Sequence, residues 1–265
     1  MPGYLINQKD QPLYPEILWE RPERRDQAGK LLIIGGSTNG LGSVSQAYQV
    51  AIDSQIGQTI VLLPDCLRRI AGKTPHIEFA PSTASGSFSL SALDDLLHFA
   101  RTCDAVLLAG DIGRSSETAL LFSQFIETYR GLLAITKDAF DLIATDSQKI
   151  TKRPDTLLVL TLAQIRRLAI ETKNHQAISL DLDYTVLISR LHELCSKFDA
   201  MILTRQFDKF LVIGQDKVIS TNRADIDDTW RVEFATRAMV YWLQNSHKPL
   251  EAVATSCLPQ RLLNS

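Results

Sequence analysis

The sequence predicts an α/β fold in which helices cover a mainly parallel central sheet. From residue 30 onward, short apolar runs alternate with stretches whose apolar residues recur at helical spacing, as in strand–helix–strand units. The runs at 59–63, 105–109 and 156–161 are continuously apolar in their centres, which is expected of strands buried on both faces. The 265 residues, 45% of them hydrophobic, are enough for a substantial core.

The predicted strands are short apolar runs bounded by polar or turn-forming residues. They are Leu31–Ile34, Thr59–Leu63, Ala105–Ala109, Leu132–Thr136, Thr156–Thr161, Ala177–Leu180, Ala200–Leu203 and Phe210–Ile213. The predicted helices carry their apolar residues on one face. They are a helix that follows Gly42, with Val44, Ala47, Tyr48, Ala51 and Ile52 on one side, and helices at Ser91–Ala100, Ser115–Tyr129, Tyr184–Lys197 and Val232–Gln244.

Residues 1–28 are rich in proline and charge, and we expect them to form an N-terminal segment that wraps the surface. Residues 29–265 contain no repeat, no low-complexity tract and no linker long enough to divide them, so we expect a single domain there.

Composition excludes several classes of function. The net charge is −2 and no long run of Lys and Arg occurs, so we do not expect nucleic-acid binding. No segment has the length and freedom from charge of a membrane span, and the N-terminus lacks a secretory signal. The four cysteines lie far apart, which argues against a zinc site and fits a reducing compartment. We therefore expect a cytoplasmic protein.

The segment from Lys30 to Ser43 combines an apolar strand, a glycine-rich loop and the start of a helix. Its glycines are Gly35, Gly36, Gly40 and Gly42. Glycine allows close approach of the backbone to a ligand, and a helix N-terminus presents unpaired N–H groups to an anion. We expect this loop to hold a phosphate-bearing or otherwise anionic small molecule, and a tight turn without a ligand is the alternative.

One hypothesis from this loop is an NAD(P)-binding protein. Its glycine spacing is similar to the short-chain dehydrogenase pattern TGxxxGxG, and Asp65 closes the next strand where an acid could bind a ribose. That family requires a Tyr followed four residues later by Lys, and none of the tyrosines here meets this condition. A short-chain dehydrogenase-like protein therefore remains only a lesser alternative.

Five segments along most of the chain form a recognisable series of motifs: Gly29–Val44, Pro64-Asp65, Cys103–Arg114, Thr136–Phe140 and Glu233–Ala252. This series resembles the family of ADP- or ATP-dependent NAD(P)H-hydrate dehydratases (the YjeF C-terminal domain family). Together the five segments span roughly residues 28 to 257 in the family's order.

The resemblance implies a ribokinase-like, three-layer α/β/α domain that removes water from hydrated NADH or NADPH, coupled to hydrolysis of ADP or ATP. It implies ADP or ATP as cofactor, with Mg²⁺ as its potential companion, a nucleotide or dinucleotide as partner, and potential homo-oligomers. The site residues that it implies are Gly36, Ser37, Gly42, Ser43, Asp111, Gly113, Asp138, Arg205 and Val232 for binding, and Glu233 for catalysis.

The chain departs from the family at the turn that opens the last long helix. The family has Gly-Thr-Gly-Asp there, and its backbone N–H groups stabilise phosphoryl charge. This chain has Trp230-Arg231-Val232-Glu233. Glu233 is either the catalytic carboxylate on a longer stem or an acid favoured by the helix dipole. A register shift would bring Asp227 or Asp228 there instead, again without the glycines.

Other family positions also differ. Asp111 stands where the family has a glycine that lines the substrate site, and the segment Thr161–Arg166 lacks the family's histidine. Arg205 takes the place of a phosphate-binding lysine or is a surface arginine, and Asp138 is either a ligand or a turn residue. Asp181 and Asp183 could bind a divalent ion, although acids before a helix are commonly caps.

Two main hypotheses remain open. The chain is either an NAD(P)H-hydrate dehydratase with eroded motifs or a catalytically inactive nucleotide-binding or protein-interaction member of that family.

Overall fold

The computed structural model describes residues 2–9, 11–72, 74–174, 178–179, 182–223 and 229–263. The strands in these ranges are β1 Leu5–Gln8, β2 Lys30–Gly35, β3 Gln58–Pro64, β4 Ile77–Ala80, β5 Ala105–Gly110, β6 Leu132–Thr136, β7 Thr156–Val159, β8 Met201–Gln206, β9 Lys209–Gly214 and β10 Lys217–Asn222. They form one sheet in the order β1-β10-β9-β8-β7-β6-β5-β2-β3-β4. Pairing is parallel except where β9 pairs with its two neighbours.

The helices of the described ranges connect and cover these strands. They are α1 Glu16–Trp19, α2 Gly42–Asp53, α3 Arg68–Ala71, α4 Leu93–Arg101, α5 Ser116–Thr128, α6 Lys137–Leu142, α7 Ser147–Thr151, α8 Leu162–Glu171, α9 Tyr184–Cys195, α10 Trp230–Gln244, α11 Pro249–Ser256 and α12 Gln260–Leu263. None of them combines the length and the apolar character needed to cross a bilayer.

Two apolar cores lie on opposite faces of the sheet, because successive side chains of a strand point to opposite sides. On β2, Leu32 and Ile34 pack in a core with α4, α5, α8 and α9. Leu31 and Ile33 pack in the other core with α2, α10 and α11. This three-layer α/β/α arrangement confirms the predicted fold class.

Most of the predicted elements are present, with ends shifted by a few residues. The strands β1, β4 and β10 were not predicted, since each is short and mixes polar with apolar residues. Ser220 and Thr221 of β10, for example, are buried. Of the predicted strand Ala177–Leu180, residues 177 and 180 lie outside the described residues, and Ile178 and Ser179 are not in a strand.

The segment 1–28 contributes more than a surface wrap, because it supplies the edge strand β1. This strand pairs in parallel with β10, from Leu5 opposite Val218 to Gln8 opposite Thr221. The buried Gln8 side chain donates to Thr221 Oγ1 at 3.1 Å and to the Ala254 carbonyl at 2.9 Å. The domain boundary at residue 28 stays a prediction.

Arg21 ties the same segment to two helices of the main body. Its Nε donates to Gln244 Oε1 at 2.8 Å, its Nη1 donates to the Tyr241 hydroxyl at 3.2 Å, and its Nη2 donates to the Ser54 carbonyl. The guanidinium also lies 4.4 Å from the centre of the Tyr241 ring. Burial lowers the pKa of Arg21, and the charge of Tyr241 partly offsets this effect.

Candidate ligand-binding site

The strand order reverses between β2 and β5, and this position creates a crevice at the carboxyl edge of the sheet. From β2 the chain proceeds through α2 to β3 on one side, whereas β5 pairs with β2 on the other side. The helices α2 and α5, which follow β2 and β5, cover opposite faces. Ligands of open α/β sheets bind at such a reversal.

A cavity of about 470 Å³ lies at this crevice. Its wall combines the start of α2, the residues that follow β5 and β6, and the start of α10. The lining residues are Gly42, Ser43, Gln46, Asp111, Lys137, Thr229, Arg231 and Val232. Gln46 Nε2 donates to Thr229 Oγ1 at 3.1 Å and so links the two helices across the cavity.

The glycine loop forms a compact turn beside β5. The Gly36 N–H donates to the Gly110 carbonyl at 3.0 Å, and the Ser37 N–H donates to the Gly40 carbonyl at 3.0 Å. Gly36 has a φ of 82°, which a side chain would strain. The loop leads to Gly42, where α2 begins, and the first N–H groups of a helix have no partner within the helix itself.

The Asp111 carboxylate lies in the concavity of this loop. The backbone N–H of Ser43, in the first turn of α2, donates to Asp111 Oδ2 at 2.7 Å. A Cβ placed on Gly40 would be 3.6 Å from the same oxygen, and one on Gly42 would be 3.8 Å from it. The anion that the loop was predicted to hold is thus represented by a carboxylate of the chain itself.

Lys137 neutralises this carboxylate. Its Nζ donates to Asp111 Oδ1 at 2.9 Å and to Ser43 Oγ at 2.5 Å. Burial raises the pKa of Asp111, but the bonds from Ser43 and Lys137 outweigh this effect, so the pKa lies below its ordinary value of 3.8. The carboxyl group is therefore ionised at neutral pH.

Asp138 braces the turn that carries Asp111. Its Oδ1 accepts the Asp111 N–H at 2.7 Å, and its Oδ2 accepts the Ile112 N–H at 3.0 Å. A Cβ on Gly110, whose φ is 101°, would lie 2.7 Å from Asp138 Oδ1, so the brace requires glycine there. Of the two interpretations of Asp138, these bonds correspond to the turn residue.

Asp111 and Lys137 both adopt left-handed backbone conformations, with φ of 57° and 53°. A non-glycine residue in this region costs about 1–3 kcal/mol when the geometry is strained, and such positions cluster at functional sites. The two residues follow neighbouring strands, β5 and β6, and this backbone geometry lets their side chains meet.

The opposite wall of the cavity is cationic. Arg231, in the first turn of α10, donates from Nη1 to Gln164 Oε1 at 3.3 Å. Gln164 in turn donates to the Lys137 carbonyl at 2.8 Å and to Asp141 Oδ2 at 3.0 Å. Burial lowers the pKa of Arg231, and the charges of Asp141 and Asp138 partly offset this effect. Arg231 and Lys137 thus border the same space from different elements.

Glu233 is not part of the cavity wall. It accepts a hydrogen bond of 2.5 Å from Arg237 Nη2, and Arg223 Nη2 lies 3.7 Å from the same oxygen. The Arg237 side chain is 7% exposed, so Glu233 balances a buried charge. At the turn itself, Trp230 is buried against Phe210, with ring centres 5.5 Å apart. Asp227 and Asp228 lie outside the described residues.

The remaining predicted site residues lie around the cavity rather than in its wall. Gly36 and Ser37 form the loop behind it. Gly113 lies beside them, since a Cβ there would be 3.9 Å from Ser37 Oγ. Arg205 lies near the end of β8, and its Nε donates to the carbonyl of Phe207 in the β8–β9 turn at 2.7 Å.

The second acid of the pair predicted before α9 is a cap. Asp183 Oδ1 accepts the Thr185 N–H at 2.9 Å and caps α9. Asp181 lies outside the described residues.

Sequence reasoning missed Lys137 and Arg231. Lys137 directly follows a predicted strand and precedes Asp138, so its position at the carboxyl edge of the sheet was a usable signal. Arg231 lies in the turn where the family pattern has glycines. The loss of the glycines was visible in the sequence, but the role of the Arg231 side chain in the cavity wall was not predicted.

Mg²⁺ does not fit this site as far as the described residues form it. Asp111 already accepts from an N–H and an ammonium, and both oxygens of Asp138 accept backbone N–H groups. The described residues also contain no group of three or more His, Cys, Asp or Glu that could hold a metal ion. In contrast, an ammonium and a guanidinium are suited to phosphate oxygens.

Curated relatives include two bifunctional NAD(P)H-hydrate repair enzymes. The enzyme from Methanocaldococcus jannaschii is 29% identical over 120 residues, which are 45% of this chain and 24% of the relative. The enzyme from Methanothermobacter thermautotrophicus is 29% identical over 119 residues, with 43% and 23% covered. The chain thus matches about a quarter of the length of each curated relative. No protein-family model matches the chain.

Solved structures share the fold at low identity. A ribokinase-like superfamily protein from Enterococcus faecalis has a TM-score of 0.71 at 14% identity, covering 96% of this chain and 86% of that one. An ADP/ATP-dependent NAD(P)H-hydrate dehydratase from Bacillus subtilis, co-crystallised with ATP and Mg²⁺, has a TM-score of 0.59 at 12% identity, covering 93% and 86%. Over less than half of its length the chain is thus similar in sequence to NAD(P)H-hydrate repair enzymes, and it has a ribokinase-like fold.

Proposed function

We propose that this protein binds a nucleotide or dinucleotide in the cavity between α2, α6 and α10. The observation that carries the proposal is the pair of cationic side chains, Lys137 and Arg231, that line one cavity at the reversal of strand order. Charge-assisted hydrogen bonds from such groups are the strong contacts of phosphate recognition. The relatives named for NAD(P)H-hydrate repair and the neighbour crystallised with ATP support this class of ligand.

We propose further that the protein lacks the dehydratase reaction. The reaction needs a carboxylate able to act on water or substrate and a backbone turn able to stabilise phosphoryl charge. Glu233 instead pairs with Arg237, and Asp111 and Asp138 accept bonds from the chain itself. The buried Trp230 and the β-branched Val232 stand where the family pattern has glycines.

An active dehydratase is the second candidate. The 29% identity to the curated repair enzymes favours it, and Asp227 and Asp228 lie just before Thr229 and the start of α10 in the sequence. This candidate requires one of these two acids, rather than Glu233, to act at the cavity.

Two measurements together distinguish a nucleotide-binding protein without dehydratase activity from an active dehydratase. Thermal unfolding is recorded with AMP, ADP, ATP, NADH and NADPH, and turnover of hydrated NADH is measured at micromolar protein. We expect a concentration-dependent rise in Tm with at least one ligand, because binding to the folded state stabilises it, and no turnover. No shift with any ligand would reject the binding proposal. Turnover that is lost in Asp227→Asn or Asp228→Asn would establish the dehydratase instead.

A cytoplasmic location and the absence of a nucleic-acid partner remain part of this proposal, as does assembly into homo-oligomers. All four cysteines are free, which is consistent with a reducing compartment. Sedimentation of the purified protein at several concentrations tests the oligomeric state.

A further inference from the structure

The glycine loop and the cationic wall differ in the hydrogen-bond donors that they have available for a ligand. The loop's Ser43 N–H is already bonded to Asp111 Oδ2 at 2.7 Å, and the carboxylate also holds Lys137 at 2.9 Å. A phosphate that used the loop would have to displace Asp111 from both partners. On the other wall, Arg231 makes one hydrogen bond to a described residue, Gln164, at 3.3 Å, and a guanidinium has five N–H donors.

The charges of the lining residues also distinguish the cationic wall from the glycine loop. Lys137 and Arg231 bring two positive charges to the cavity wall, and Asp111 brings one negative charge. The described lining residues therefore carry an excess of one positive charge, enough to favour one anionic group. A second anionic group would approach the ionised Asp111 carboxylate, and like charges at short range repel each other strongly inside a protein.

We propose that Asp111 is a specificity-determining residue, whose carboxylate takes the place of one anionic ligand group at the glycine loop. The cavity then accepts ligands with one phosphoryl group, such as a nucleoside monophosphate, and disfavours pyrophosphate-containing ligands such as ADP and NADH. This inference rests on the proposed function, since it concerns the ligand class of the same cavity.

The geometry explains how Asp111 stays in this position. Both oxygens are engaged, the backbone N–H of the residue is held by Asp138 at 2.7 Å, and its φ of 57° is a conformation that Asp and Asn tolerate better than other side chains. The side chain is 20% exposed, so it borders the cavity without being free to rotate into solvent.

Isothermal titration with adenosine, AMP, ADP and NADH tests the inference. We expect the wild type to bind AMP at least tenfold more tightly than ADP or NADH. In Asp111→Asn, which keeps an oxygen for the Ser43 N–H and tolerates the same φ, we expect the affinities for ADP and NADH to rise at least tenfold relative to AMP.

Asp104→Asn is the matched control. Asp104 Oδ2 also accepts a backbone N–H, from Lys30 at 2.8 Å, but at the opposite edge of the sheet, where β5 begins. The change in net charge is the same, and we expect all affinities to remain within about twofold of the wild type. An equal rise in both variants would overturn the inference, because overall charge would then explain it.

The remaining outcomes separate this inference from the proposed function. Equal affinities of the wild type for AMP, ADP and NADH, unchanged in Asp111→Asn, would overturn the role of Asp111 and leave the binding function in place. Binding of ADP or NADH by Asp111→Asn alone would support the role of Asp111 and reject nucleotide binding by the native protein. No binding by any variant would reject both.

Discussion

Glu233 lies one helical turn before Arg237 on α10 and accepts a hydrogen bond of 2.5 Å from its guanidinium. Arg223 lies 3.7 Å from the same carboxylate, so Glu233 balances two largely buried arginines. This arrangement gives the carboxylate a structural role away from the cavity, although the resemblance in sequence predicts it as the catalytic residue.

Glu233→Gln should therefore lower stability rather than ligand binding. Removing one partner of a buried ion pair leaves a charge without compensation, and the 25% exposure of Glu233 reduces the cost to about 2 kcal/mol. Urea unfolding measures this change, and Glu193→Gln, at an exposed position of α9, should cost less than about 0.5 kcal/mol. Equal stability of Glu233→Gln and the wild type would contradict the structural role.

Asp111 should make stability depend on pH in the acid range. Its folded pKa lies below the unfolded value of 3.8, so on acidification the unfolded chain takes up the proton first. The stabilisation is complete well above pH 3.8 and is lost as the pH falls through the folded pKa. The difference in unfolding free energy between wild type and Asp111→Asn should shrink from pH 6 to pH 3. A difference that stays constant over this range would contradict the prediction.

Arg231→Gln should weaken binding of a phosphate-bearing ligand at least tenfold, because a charge-assisted hydrogen bond is lost. Gln keeps a polar side chain near Gln164, so the fold should be retained. The comparison is Arg101→Gln, an exposed arginine at the end of α4 on the other face of the sheet. Titration calorimetry measures the affinity of both variants for the ligand that the wild type binds most tightly. Equal affinities of Arg231→Gln and Arg101→Gln would show that Arg231 does not bind the ligand.

Arg21→Ala should destabilise the protein by about 2–3 kcal/mol. It removes bonds to Gln244, Tyr241 and Ser54 and the packing of the side chain on the Tyr241 ring. Arg24→Ala is the matched control, since Arg24 is 71% exposed and, among the described residues, forms its ion pair with nearby Asp26. Thermal unfolding should separate the two variants by several degrees. Similar Tm values would show that the Arg21 contacts do not stabilise the fold.

The fold class could be predicted because strands buried on both faces produce continuous apolar runs. β2, β5 and β7 have this pattern and were found. β1 was not, because it pairs with a strand far away in the sequence and makes bonds such as that between Gln8 and Thr221. No local pattern encodes a partner 213 residues away. β10 was not, because it mixes polar with apolar residues.

The sequence predicted only part of the site, because some of its residues lie in visible motifs and others are brought together by the fold. The glycine loop and Asp111 are visible as motifs, and the structure brings Gly42, Ser43, Asp111 and Val232 to one cavity. The pairing of Asp111 with Lys137 depends on the neighbouring positions of β5 and β6 and on two left-handed residues, which sequence spacing does not reveal. The ion pairs of Glu233 with Arg237 and Arg223 could not be predicted either, because sequence spacing alone does not reveal them.

The position of β1 at the sheet edge has a consequence for the order of assembly. Leu5–Gln8 pairs only with β10 within the described sheet, and the two partners are 213 positions apart. At ribosomal rates of about 5–20 residues per second, β1 waits on the order of 10 to 40 s for its partner to be made. Pairing at this edge is therefore a late event that joins β1 to a strand made much later, and a pause before residue 222 would leave β1 exposed to other partners.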